Sequence, residues 1–216
     1  MPLERAREPA LFPAPAALAD DVVALDPLRP EHADALWDAA SGDRATYGLT
    51  LVPASLEAMH AYVEAHLADQ ARGASLPFAT RDARTGRVVG GTRFMNIERW
   101  TWAPDNPLRR TDGKPDAVEI GSTWLSPSAQ RTAINTHAKL LMLTRAFDEW
   151  KVRRVTLKTD ARNARSRGAI ERLGARFDGV LRAHMPAFDG GVRDTAFYSI
   201  LLGEWPAVRA NLAARA

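Results

Sequence analysis

The sequence predicts an α/β protein built around one mixed sheet. Three observations carry this. Apolar patterning switches between two-residue and 3.6-residue periods in the order β-α-α-β-β-β-α-β-α-β-β. The middle of the chain holds one strand–helix–strand unit, at 117–125, 133–149 and 153–159, whose crossover makes its two strands parallel. Hairpin signals flank it, Arg84-Thr85-Gly86 before and Asp189-Gly190-Gly191 after, so the other strands are mostly antiparallel.

Taken in order, residues 1–21 read as a Pro/Ala-rich N-terminal arm, with Pro2, Pro9, Pro13 and Pro15 favouring extended backbone. Residues 22–216 read as a single domain. Val22–Leu28 is a first strand, and Pro27 marks it as an edge or terminal one. Pro30 stands near the start of a short helix at 32–40. A second helix, about 55–70, carries Leu56, Met59, Val63 and Leu67 at three- and four-residue steps, with Ser55 and Glu57 suited to its start and Gly73 to its stop. Strands at 76–83 and 87–97 form the first hairpin. A polar loop with Pro104, Pro107, Gly113 and Pro115 follows. The helix at 133–149 is apolar around much of its girth, which buries it against something as large as a sheet. Asn163 is a fitting N-cap for a helix ending at Leu173, with Gly174 beyond it. Two long strands fill 175–202, and a helix closes the chain at 204–213.

Composition narrows the chemistry. The 216 residues contain no Cys, which excludes disulfides, thiolate metal sites and Cys nucleophiles. Five His residues show no metal-ligand spacing, so no metal is expected. The net charge of +3 does not mark a nucleic-acid binder, and no aromatic-basic RNA motif occurs. Apolar runs such as Leu140–Leu143 fall far short of a membrane span. No continuous apolar stretch near residue 1 suggests a secretory signal, so a cytoplasmic protein is the expectation.

The informative piece is the strand–loop–helix at 119–136. A helix N-terminus leaves about four N–H groups without intrahelical acceptors, and its dipole favours an anion. The loop is neither a Walker A nor a dinucleotide fingerprint. Between Lys151 and Arg182 ten basic residues face three acidic ones. That zone suits a multiply phosphorylated ligand or is a solvated basic face.

On these residues the chain resembles a known family. Glu119-Ile120-Gly121, Trp124-Leu125-Ser126-Pro127, Gln130 through Thr136, Leu157 through Asn163, Ser166 and Ala169 through Ala175 together are similar to the GNAT superfamily of acetyl-CoA-dependent N-acetyltransferases, in particular its RimJ/RimL-type branch. The likeness extends over about 22–205. It implies a GNAT-like fold whose central parallel pair splays around the cofactor. It also implies acetyl-CoA as cofactor, a protein N-terminal or small-molecule amine as acceptor, direct attack in a ternary complex, and a homodimer as common in that branch. No nucleic acid and no membrane partner is expected.

The resemblance also implies roles. Glu119 stands where the family has its base or amine-orienting carboxylate; otherwise it is a strand Glu in a salt bridge. Ser166 stands near the CoA sulfur, as the catalytic group that protonates the leaving thiolate or only hydrogen-bonds it, or is a helix-surface Ser. Asn163 meets the pantetheine arm besides capping its helix. Main-chain groups of Trp124 and Ser126, flanking Leu125, pair with pantetheine amides as an added strand would. Gln130, Arg131, Thr132, Ala133, Ile134, Asn135 and Thr136 wrap the pyrophosphate, and Arg165 reaches the 3′-phosphate. Ala133 and Asn135 replace glycines of the family's loop, where Gly lets a ligand approach the backbone closely. That departure also motivates a second expectation, a catalytically weak or inactive CoA-binding or sensing module. Arg93, Trp100, Trp102 and His184 are the acceptor-side candidates, with Trp37 and Tyr47 beside them; the tryptophans equally suit a core or an interface.

Overall fold

The computed structural model describes residues 14–215; the part of the expected arm ahead of residue 14 lies outside them. Eight strands form one sheet in the order β1-β2-β3-β4-β5-β6-β8-β7. These are β1 (Leu18–Ala19), β2 (Val23–Pro27), β3 (Ser75–Asp82), β4 (Val88–Glu98), β5 (Ala117–Leu125), β6 (Arg154–Asp160), β7 (Arg176–Pro186) and β8 (Val192–Leu201). Every neighbouring pair is antiparallel except β5 and β6. The helices are α1 (His32–Ala40), α2 (Leu56–Ala71), α3 (Ile134–Thr144), α4 (Ala164–Arg172) and α5 (Trp205–Ala213).

Two elements differ from the sequence reading. Leu18 and Ala19, inside the expected arm, pair with Leu25 and Ala24. Pro27 is therefore not on an edge strand. It ends β2 opposite Phe78, where the lack of an N–H costs no further ladder bond. The long central helix is also two pieces: α3 gives way to a π-type turn, Arg145–Glu149. That turn carries the adjacent pair Ala146 and Phe147 into the core, which a 3.6-residue period places less easily.

The sheet separates two cores. On one face α3, α4 and α5 bury Val118, Ile120, Val155, Leu157, Tyr198 and Ile200. On the other, α1 and α2 bury Tyr47, Val63, Ala79 and Trp124. Ser55 caps α2 by accepting the Ala58 N–H at 3.1 Å. Leu56 is exposed instead of buried, and His66 takes the inward position in the last turns of the helix.

Candidate functional site

The site begins where β5 and β6 part. Their parallel register covers only Ala117↔Arg154, Val118↔Val155 and Glu119↔Thr156, yet both strands continue beyond it. A bulge in β5 accompanies the departure. The register with β4 shifts between Gly91 and Arg93, and Ser122 takes a left-handed φ of 49°. A bulge bends its strand and raises the local twist. Gly90 makes the crossing feasible, because a Cβ there would lie 2.1 Å from the Trp124 carbonyl oxygen. Beneath the bulge Lys139 of α3 donates to Thr123 Oγ1 at 2.6 Å and to Thr92 Oγ1 at 3.1 Å. Burial lowers its pKa to about 7.

Which main-chain groups face the opened slot differs from the expectation. Ser126 N–H donates to the Val89 carbonyl at 2.7 Å, and the Trp124 carbonyl abuts Gly90. Both residues thus turn their main chain toward β4. By alternation Leu125 faces the other way. Its carbonyl already accepts from Tyr47 Oη at 3.0 Å and from Gln130 Nε2 at 2.9 Å.

The loop from Gln130 leads into the start of α3. Arg131, at φ 61°, makes the left-handed turn. Ala133 is right-handed helical, at φ −64°, and Asn135 lies within the first helical turn, so neither position needs a glycine conformation. Thr132 Oγ1 donates to the Ala129 carbonyl at 2.7 Å and accepts the Ile134 N–H at 3.3 Å. The other N–H groups of this first turn are available to an anion. Ala133 sets only a methyl over them, and Arg131, Thr132 and Ala133 are exposed, so the residues present fit a diphosphate. Arg165 Nη1 donates to Gln130 Oε1 at 3.1 Å and its Nη2 to the Thr46 carbonyl. This bracket brings α4 to the same loop. Asn163 Oδ1 accepts the Ser166 N–H at 3.0 Å, which spends the oxygen on the cap and leaves the amide nitrogen for a ligand.

Glu119 sits at the last paired position, 4% exposed. Its Oε2 accepts from Asn96 Nδ2 at 2.8 Å and meets Lys158 Nζ at 3.1 Å. Asn96 has φ 46° at a second register shift of β4 against β5, between Met95 and Glu98. The carboxylate therefore lies between two bulges, devices that re-aim side chains. Oε1 points over Gly121, where a Cβ would stand 3.1 Å from it and 2.9 Å from Met95 Sδ.

Glu119 alternates with Val118 and Ile120, so it lies on the opposite face from α3. Lys158, Phe197, Thr195 and Arg193 share that face by the same alternation. Lys158 Nζ stands 5.7 Å from the centre of the Phe197 ring. His184 meets that ring edge-on at 5.3 Å, and its Nδ1 lies 3.0 Å from Thr195 Oγ1. Burial and the nearby cations Lys158 and Arg193 lower the His184 pKa from its ordinary value, which favours the neutral imidazole. Of the acceptor-side candidates, His184 alone joins this cluster. Arg93 is a brace, bonded to Asp69 of α2 at 3.0 Å and to Ser122 of the bulge at 3.0 Å. Trp100 and Trp102 lie at the other end of the parallel pair, against Arg154 and Arg153.

The basic zone at 151–182 is not one surface. Arg153, Arg154, Lys158, Arg162 and Arg176 pair with Asp116, Glu98, Glu119, Asp160 and Glu204. Asn96, Lys139 and Arg193 went unread in the sequence, and Lys158 was read only as part of the basic zone and of the 157–163 stretch. A lysine on an apolar helix face was a visible signal for Lys139; Asn96 and Arg193 had none. Asp20, Asp21 and His137 gather three possible ligand atoms within 4.8 Å. Asp20 is already engaged by the Val22 and Val23 N–H groups and by His137. Among the described residues no helix is long and apolar enough to cross a membrane.

The sheet opens at one parallel seam, with the start of α3 on the seam and the buried Glu119 carboxylate beside it. Comparison with known proteins assigns the class. The model of the acetyltransferase (GNAT) domain matches residues 23–176, and the chain belongs to that family. A GCN5-related N-acetyltransferase from Brucella melitensis is similar at 29% identity and a TM-score of 0.79, covering 94% of this chain and 86% of the other. A putative acetyltransferase from T. thermophilus shares 30% identity over 94% of this chain and 98% of the other, with a TM-score of 0.75. RimJ of Mycobacterium smegmatis, solved with CoA-disulfide, shares the fold at 22% identity and a TM-score of 0.73, covering 95% and 96%. No curated protein matches the chain.

Proposed function

We propose that this protein transfers the acetyl group of acetyl-CoA to a primary amine by direct attack in a ternary complex. The carrying observation is the seam that opens after Glu119↔Thr156 beside the start of α3. When bound, acetyl-CoA supplies an activated thioester carbonyl. The N–H groups of Arg131, Thr132, Ala133, Asn135 and Thr136 would hold its diphosphate, with Arg131 and Arg165 at hand for phosphate charge. Main-chain groups of Thr123 and the Leu125 N–H line its arm, and Asn163 Nδ2 and the Ser166 hydroxyl border the slot from α4. Glu119 orients the amine through Oε1 and takes its proton directly or through water as the C–N bond forms; the C–S bond breaks, and the leaving thiolate takes a proton from the Ser166 hydroxyl or from water. Asn96 and Lys158 keep the carboxylate in place for that task. The reading includes a cytoplasmic setting. It also includes self-association of the apolar edge strand β7, where Phe177, Val180 and Leu181 are exposed.

Titration calorimetry with acetyl-CoA tests the reading first, and binding at tens of micromolar or tighter is expected. Thiol release with a panel of amines tests it second. Absence of binding rejects the reading. A second reading, a CoA-binding module without turnover, is favoured by the engagement of Glu119 with Lys158 and Asn96, which suits a structural carboxylate. Under that reading acetyl-CoA binds and no amine releases thiol.

A further inference from the structure

In the cluster around Glu119 one buried cation has no carboxylate in contact among the described residues. Glu119 and Lys158 neutralise each other at 3.1 Å. Asp160 is held by Arg162 through Nε at 3.0 Å and Nη2 at 2.7 Å. Arg193 remains. It is 8% exposed, and its hydrogen bond runs from Nε to the uncharged Thr195 Oγ1 at 3.0 Å. No carboxylate lies within ion-pair distance of it among the described residues. Burial lowers its pKa from the ordinary value, and the more distant Asp160 and Glu119 offset this only in part. A guanidinium removed from water without a partner is costly, whereas a carboxylate meets its planar fork with two parallel hydrogen bonds.

The direction of the side chain is informative. Phe197 stands opposite Lys158 across β6 and β8, and Arg193 is four residues earlier on β8. At about 3.3 Å per residue its Cα is about 13 Å away along the strand. The bond to Thr195 turns the guanidinium back toward Phe197 and so toward Glu119.

We propose that Arg193 receives a carboxylate of the acceptor, so that the amines acetylated at this site carry a carboxylate several bonds from the reacting nitrogen. Glu119 would hold the amine end, Phe197 would floor the span and Arg193 would hold the far end. The spacing suits a short peptide or an ω-amino acid better than an α-amino acid, whose two groups are adjacent. The inference rests on the acetyl-transfer reading for the location of the amine.

The test is calorimetric binding to the CoA-saturated protein of ω-amino acids and short peptides, each paired with its carboxamide. At least one carboxylate is expected to bind about tenfold tighter than its carboxamide, as a hydrogen bond to a charged group provides. Arg193→Gln is expected to shrink that ratio to near one, with CoA affinity and carboxamide binding unchanged, and Arg193→Lys to restore part of it. A purely structural arginine would not alter the ratio. Equal binding of every pair to the wild type, or a ratio that survives in Arg193→Gln, overturns the proposal. If the protein fails to bind CoA, acetyl transfer falls separately. The same pairs titrated into the free protein then decide for or against Arg193 by the same ratio.

Discussion

At the scale of single residues, Glu119 Oε2 is engaged by Asn96 and Lys158 while Oε1 faces the space over Gly121. Glu119→Gln preserves the shape of the group and removes its charge. Thiol release with acetyl-CoA and the best amine is expected to fall by about a hundredfold or more, the range for loss of a general base, while acetyl-CoA affinity stays the same. Unchanged activity across pH 6–9 would remove Glu119 from that role. The sequence made part of this neighbourhood legible. Glu119 and Asn163 lie in local patterns, and Asn163 caps its helix, as an Asn at a helix start implies. Asn96, Lys158 and Arg193 come from other strands, and only sheet register places them. The main-chain expectation for Trp124 and Ser126 was off by one residue, because a bulge at Ser122 and pairing with Val89 fix which way each residue of β5 faces.

Among the elements, α3 and β5 are joined by Lys139, a buried amine that meets two threonine hydroxyls and, among the described residues, no carboxylate. Those hydroxyls also lie 2.8 Å apart and can satisfy each other. Lys139→Met, of similar length and without the polar head, is expected to stabilise the protein at pH 7 by about 1–3 kcal/mol, as when buried charges give way to apolar isosteres. Denaturant unfolding measures this, and a lower midpoint would show that the hydroxyls depend on the amine. Helix and strand identities were legible because their apolar periods are long and their punctuation strong, as with Ser55 and Gly174. The break of α3 into a π-type turn was not, because Ala146, Phe147 and Trp150 satisfy an amphipathic helix as well as a wider turn.

For the whole molecule, the pH dependence of folding has an identifiable contributor. Burial lowers the His66 pKa to about 4 from 6.5, and its Nδ1 donates to the Tyr62 carbonyl at 2.8 Å. Between those values the unfolded chain binds the extra proton, so stability falls as pH drops from about 6.5 to about 4. The loss reaches roughly 3 kcal/mol. Urea unfolding of the wild type and His66→Gln across that window checks it, and the variant is expected to show the shallower slope. The sheet order was only partly legible. The parallel pair and two hairpins follow from local signals, whereas the insertion of β8 between β6 and β7 is a long-range choice that leaves no local trace. The doubly engaged Leu125 carbonyl carries a kinetic consequence. A guest that docks along this edge as an extra strand must first evict the Tyr47 hydroxyl and the Gln130 amide. The observed association rate in stopped-flow mixing would then climb toward a plateau as guest concentration rises, the ceiling being the speed at which the 45–47 turn lets go.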